Sequence, residues 1–249
     1  MKQRDFFAET DILLKELSSR RPLSPSELER LRKEFVTEYT YNSNAIEGNT
    51  LTLRETSLVL EGVTVSEKPL REHLEAVGHR DAFEYITELV KEKAEFTPFV
   101  MREIHSLVLI DKPEAKGRFR RIPVRISGSD HVPPEFTNVP ELVDKLIESY
   151  NASDAHPIEK ASIFHCGFEN IHPFGDGNGR AGRLILNMML MQAGYPPISV
   201  KFSDVKRYYA AFERYDSTGD PDPMTDLVTE YVKEQMRRMI KIIDDANSF

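Results

Sequence analysis

The chain of 249 residues has a single cysteine, Cys166, which excludes an internal disulfide and a cysteine-based zinc site. No stretch approaches the ~18 consecutive apolar residues of a membrane-spanning helix. The opening MKQRDFFAETD also lacks an apolar signal core. Neither secretion nor membrane insertion is expected, and the expected compartment is the cytoplasm. Excess positive charge is missing as well: 33 Lys and Arg face 41 Asp and Glu, a net charge of −8. That balance argues against general nucleic-acid binding. The one basic stretch, Lys112 to Arg125, carries no aromatic interleaving or repeat and reads as a solvated loop. A low-complexity linker is absent too, so the N-terminal 70 residues are expected to pack on the remainder. With 40% hydrophobic and 30% charged residues, the composition is that of an ordinary soluble protein. The length suffices for one large domain or two small ones.

What is present is mostly helical periodicity. Helices are expected near 4–18, 25–47, 53–61, 69–93, 98–110, 140–150, 157–170, 180–192, 203–214 and 222–245. Ser24-Pro25-Ser26-Glu27 and Thr52-x-x-Glu55 are capping boxes, and Pro69, Pro98, Pro140 and Pro157 fall at first-turn positions. Only residues 118–132 alternate like strands, through Phe119, Ile122, Val124 and Ile126, before breaking at Ser127-Gly128-Ser129. A short β-hairpin is expected there. The fold class is therefore all-α with one small hairpin, Cys166 being a core residue of the helix at 157–170.

The densest chemistry lies in residues 172–183, HPFGDGNGRAGR. The apolar run from Leu184 to Met191, closed by Gly194 and the Pro196-Pro197 pair, is a buried helix beginning at or just before Arg180. The Gly175-Asp176-Gly177-Asn178-Gly179 loop feeds into its N-terminus, where free N–H groups and the helix dipole make an anion site. Glycines let a phosphate approach the backbone without Cβ interference. Arg180 and Arg183, three apart on the first turn, would suit a polyphosphate. Asp176 is a hard oxygen ligand placed for a Mg²⁺ ion bridging phosphates. His172, before Pro173, has an imidazole able to take a proton from a hydroxyl at neutral pH. Such a set fits the transfer of a nucleotidyl group.

A second segment, Ser43 to Asn49 (SNAIEGN), closes the helix begun at Pro25. Gly48 is a natural C-cap, which leaves Glu47 in a last turn where a carboxylate is disfavoured by roughly 0.3–1 kcal/mol. The residues alone leave Glu47 either solvated or paired with a cation. Asn187, four past Arg183 on the buried helix, needs a polar partner, either the nucleotide or a structural hydrogen bond.

The 172–183 stretch resembles the Fic (Fido) family signature HxFx(D/E)GNGRxxR at His172, Phe174, Asp176, Gly177, Asn178, Gly179, Arg180 and Arg183. The resemblance runs through roughly residues 97–240, including Gly117-Arg118-Phe119-Arg120, GSDHVPP at 128–134, AGYPP and the Tyr208-Tyr209 pair. It implies transfer of AMP from ATP to a Ser, Thr or Tyr hydroxyl of a protein target, with pyrophosphate leaving. His172 would be the general base, Phe174 a core anchor and Asp176 the Mg²⁺ ligand. Asn178 and the loop amides, with Gly177 and Gly179, would hold the α-phosphate, and Arg180 and Arg183 the β- and γ-phosphates. Relatives that transfer phosphate carry lysine at the position of Gly179, which favours AMP transfer. Tyr208 and Tyr209 would line the adenine pocket, one of them lying in the core. Gly128, Ser129, Asp130 and His131 fall in the flap (about 118–134) that aligns a target peptide by strand addition, His131 as a rim residue.

SNAIEGN also resembles the inhibitory motif (S/T)xxxE(G/N), matched by Ser43, Glu47 and Gly48. The likeness implies that Glu47 pairs with Arg183 and blocks the γ-phosphate position. The organisation expected is an N-terminal helical region, 1–70, carrying the motif at 43–48, followed by a Fic domain at 71–249. AMP removal by the same site, transfer of another group, a silent nucleotide-sensing role, self-modification and a homodimer are further possibilities that the resemblance leaves open.

Overall fold

Helix boundaries follow the caps that the sequence carries. The computed structural model describes residues 7–20, 24–126 and 128–246. Helix α1 spans Ala8–Ser18; residues 4–6 of the expected first helix lie outside the described residues. Helix α2, Pro25–Ile46, starts at Ser24, whose backbone N–H donates to the Glu27 carboxylate at 2.8 Å while its hydroxyl accepts from Glu27 N–H. Helix α3, Leu53–Leu60, repeats the device with Thr52 and Glu55. Each such cap contributes about 1 kcal/mol. Then follow α4 (Leu70–Lys91), α5 (Pro98–Val108), α6 (Val139–Ala152), α7 (Pro157–Ile171), α8 (Asn178–Gln192), α9 (Val205–Thr218) and α10 (Asp222–Ala246).

Helix α8 is the axis of the molecule. From Ala181 to Leu190 every residue is buried, and α7, α4, α5 and α2 pack around it. A helix buried on all sides can only be central. Burial of each Leu, Ile or Met side chain there contributes roughly 1.5–3 kcal/mol. Helices α4 and α5 cross at Gly78, where a Cβ would run into the Leu107 carbonyl oxygen.

Helix α1 lies on α10, and α2 lies on α4 and α8. Phe35, Val36, Tyr39 and Ile46 of α2 belong to the same buried cluster as Leu184 and Met236. The N-terminal region thus shares the core of the rest, and the last turn of α2 is delivered to the first turn of α8.

The hairpin expected within 118–132 is not formed: the described residues contain no strand. Among its described residues the backbone bends at Arg121 and Ile122 and turns at Gly128. Arg120 N–H, which would belong to a ladder, donates instead to Pro173 O at 2.9 Å. Pro123, Pro133 and Pro134 have no N–H to offer one. No helix among the described residues is long and apolar enough to cross a membrane.

Candidate active site

Helix α7 ends where His172 turns left-handed, at φ 49° and ψ 62°. That conformation is uncommon for a residue with a Cβ, and neighbours hold it. His172 N–H still donates to Phe168 O at 2.9 Å. Arg120, itself buried, donates from Nε to His172 O at 2.9 Å and from Nη2 to Pro134 O. One arginine therefore ties the flap segment to the chain reversal at His172.

The glycine loop is stapled from inside. Asn178 Oδ1 accepts from Phe174 N–H and its Nδ2 donates to Phe174 O, both at 2.9 Å. Phe174 is fully buried and stacks on His105 with centroids 3.7 Å apart. Gly117 N–H donates to His105 Nδ1 at 2.9 Å, so the ring proton is on Nε2, which donates to Asp176 O at 2.8 Å. Burial pushes His105 down to about 4, consistent with a neutral ring. His105 and Arg120 are structural parts of this site that no periodicity or spacing in the sequence marks.

Gly177, at φ 75°, caps α8, and the helix begins at Asn178. Against its first turn sits the Glu47 carboxylate, with Oε1 2.8 Å from Arg183 Nη2. Arg183 Nε donates to Ser43 Oγ at 3.0 Å and Nη2 to Ser43 O at 2.8 Å. The Arg183 side chain is 2% exposed. Burial works against its charge, but Tyr208 and Glu47 hold the guanidinium above its ordinary range. A Cβ on Gly179 would run into Glu47 Oε1, so a side chain there would push the carboxylate aside. Gly48, at φ 88°, turns the chain away directly afterwards.

A pocket of about 580 Å³ opens beside this pair, lined by Glu47, Gly48, Gly128, Ser129, His172, Gly179, Arg183, Tyr208 and Tyr209. Its volume lies within the ~300–1,000 Å³ usual for small-molecule sites. Tyr208 is 1% exposed and its hydroxyl meets His165 Nε2 at 2.7 Å, so it is the core member of the pair. Tyr209 is 45% exposed and reaches Ile46 O at 3.3 Å, spanning from α9 to the end of α2. Arg125 and Glu169 also line the pocket.

Several expected ligands do not line this pocket. Asn187 gives both ends of its amide to the Ile198 backbone, at 2.9 and 2.8 Å, and is fully buried. The structural hydrogen bond, one of the two partners expected for it, is therefore present, and Asn187 does not line the pocket. The Asn178 side chain is likewise occupied by Phe174, leaving only its backbone at the helix start. Arg180 does not line the pocket with Arg183; it turns toward Glu75 and Asp176, at 3.6 and 3.7 Å. Asp130 is exposed outside the pocket, and His131 Nε2 meets Asn170 O at 2.8 Å, anchoring the flap to α7.

Asp176 has its carboxylate on Lys112. Burial works against its charge, yet Lys112 and Arg180 hold the carboxyl below its ordinary range. Among the described residues no cluster of three or more His, Cys, Asp or Glu forms a metal cage. A lone half-exposed carboxylate fits a hard cation that takes its remaining ligands from phosphates and water.

The glycine-rich helix N-terminus, the flanking histidine and this all-helical frame define a Fic-domain fold. The family model described as Fic/DOC matches residues 95–190. A solved structure of Fic-1 from C. elegans superposes with a TM-score of 0.87 at 30% identity, covering 98% of this chain and 73% of that one. A Fic domain containing signaling protein from Bacteroides thetaiotaomicron has a TM-score of 0.86 at 26% identity, covering 96% and 97%. Among curated relatives, the protein adenylyltransferase Fic of Nematostella vectensis is 39% identical over 76% of this chain and 45% of its own length. That of Drosophila virilis is 36% identical over 85% of this chain and 44% of its own. The chain belongs to the Fic/DOC family. It spans less than half the length of those curated relatives.

Proposed function

We propose that the chain transfers AMP from ATP to a Ser, Thr or Tyr hydroxyl of a protein target, and that Glu47 restrains it. The observation that carries this reading is the shared pocket. It joins a histidine, a helix N-terminus bearing Arg183 and the exposed face of Tyr209. The names of the curated relatives support AMP as the transferred group.

The target hydroxyl gives its proton to His172, and its oxygen bonds to the α-phosphorus of ATP. The bond from that phosphorus to the α–β bridging oxygen breaks, and pyrophosphate leaves. Backbone N–H groups at the start of α8 and the Arg183 guanidinium offset the charge that develops on the phosphates. Asp176 would hold Mg²⁺, which when bound neutralises phosphate charge. The flap, with Val132 and Ile122 exposed, would recruit the target by strand addition.

Glu47 occupies the anionic seat on Arg183, so a triphosphate entering the pocket would be bent out of line. Positioning supplies most of the rate in such transfers, and the wild-type chain would be largely self-inhibited. ATP labelled at the α-phosphate, with Mg²⁺ and cell lysate, tests both parts. Glu47→Gly should label protein strongly, the wild type weakly, and Glu47→Gly with His172→Ala not at all. Equal labelling by wild type and Glu47→Gly would sink the restraint; labelling without His172 would sink the mechanism.

A further inference from the structure

Glu169 is a largely buried carboxylate in the pocket wall that neither the sequence reading nor the proposed chemistry uses. We propose that it is a positioning residue for His172, taking the Nδ1–H of the imidazole so that Nε2 faces the pocket. This inference rests on the reading of His172 as the base.

The geometry comes from the end of α7. Glu169 and His172 are three residues apart, and the left-handed turn at His172 keeps its ring over the last helical turn. Glu169 Oε2 lies 3.6 Å from His172 Nδ1, with side chains 12% and 18% exposed. Both residues line the pocket. His172 Nδ1 and Glu169 Oε1 are buried with no hydrogen-bond partner among the described residues, a costly arrangement unless each has a use. At 3.6 Å the pair is just outside hydrogen-bond range, and bonds of this kind commonly tighten only when the substrate is bound.

Other pocket groups are committed or lie on other walls. Glu47 is on Arg183, and Asp216 accepts from Asn170 Nδ2 at 2.9 Å. Arg125 and Glu213 line the pocket from the flap and from α9. On the far side of Glu169 lies Gly182, where a Cβ would come within 2.6 Å of Oε1. Glycine there leaves room for the carboxylate between α7 and α8.

The chemical consequence concerns the tautomer. A neutral histidine can accept the hydroxyl proton on Nε2 only if its own proton is on Nδ1. A carboxylate at Nδ1 selects that form and stabilises the imidazolium produced when the proton arrives.

Long-range ¹H–¹⁵N NMR of the full chain, with His172 assigned by its loss in His172→Ala, should find the neutral ring protonated on Nδ1. Protonation on Nε2 would overturn the proposal whatever the variants do. In a Glu47→Gly background, Glu169→Gln should lower the labelling rate by about tenfold to a hundredfold, as loss of an orienting partner commonly does. ATP affinity should be unchanged, and the ascending limb of the pH–rate profile should move to lower pH. Glu169→Asp should recover part of the rate. An unchanged rate and profile in Glu169→Gln would overturn the proposal. Loss of labelling in His172→Ala beside that result would leave the base reading standing, whereas labelling by His172→Ala would remove both.

Discussion

The Glu47 carboxylate, 2.8 Å from Arg183 Nη2, sits at the unfavourable end of its own helix and the favourable end of another. It is the C-cap of α2, where the dipole repels an anion, and it lies against the first turn of α8, where free N–H groups attract one. Phosphate would use the same seat for the same reason. A carboxylate in the chain and a phosphate on a ligand therefore compete for one guanidinium and one helix end.

Ser43 is the test of how that seat is held. Its hydroxyl and carbonyl both accept from Arg183, at 3.0 and 2.8 Å, and the residue is buried. Ser43→Ala removes only the first. A hydrogen bond to a charged group contributes about 1.5–3 kcal/mol, and urea denaturation should register a loss of that order. Labelling from ATP should lie between wild type and Glu47→Gly, because Arg183 is freed to move without losing its carboxylate. Activity at the wild-type level would mean that Ser43 stabilises α2 without guarding the seat.

Gly78 tests the frame away from the chemistry. Gly78→Ala would place a methyl group on the Leu107 carbonyl, which is backbone and cannot swing aside. Helices α4 and α5 would have to separate, at a loss of about 1–3 kcal/mol. Thermal denaturation should show it, and ATP affinity of the folded fraction should not change. Wild-type stability in this variant would mean that the crossing is looser than the packing requires.

His105 joins three elements through one neutral ring, and His105→Phe separates its stacking from its hydrogen bonds. The Phe174 stack would survive. Gly117 N–H and Asp176 O would each lose a partner, at about 1–3 kcal/mol apiece where they stay buried. Urea denaturation should reveal the loss, and calorimetry should find weaker ATP binding because Asp176 is no longer fixed. Unaltered stability would show that water replaces the ring atoms freely.

Most of the helices were legible because their caps are local: Ser24 with Glu27 and Thr52 with Glu55 fix their starts between near neighbours. The signature loop was legible for the same reason. Its supports were not, since His105, Lys112 and Arg120 bond to it from 52 to 71 residues away in sequence, on elements that only packing brings near. The failed hairpin has the opposite cause. Alternation through Phe119, Ile122, Val124 and Ile126 is a true local pattern, but the Arg120 backbone found Pro173 first. Asn187 and Arg180 share a helix with Arg183, and spacing could not reveal that one had spent its amide on Ile198 and the other faces Glu75.

Buried neutral histidines set the acid stability of this fold. Burial lowers His105 to about 4 and His165 to about 3, and holds His79 well below its ordinary value. Unfolded, each titrates near ~6.5. Above that value neither state binds the proton, and stability is full. As the pH falls below it, the unfolded chain takes up protons that the folded chain refuses. Each histidine then removes ~1.4 kcal/mol per pH unit, until its folded value is passed and the loss stops. Between about pH 7.5 and about pH 5.5, urea denaturation should therefore show His105 and His165 together removing up to about 3 kcal/mol, with His79 acting in the same direction and the higher pH being the more stable. That window lies above the titration of ordinary carboxylates, so the histidines dominate it. His105→Phe should flatten the dependence by one histidine's share. A stability independent of pH across this window would mean that the three rings are reached by water, or charged, in the folded chain.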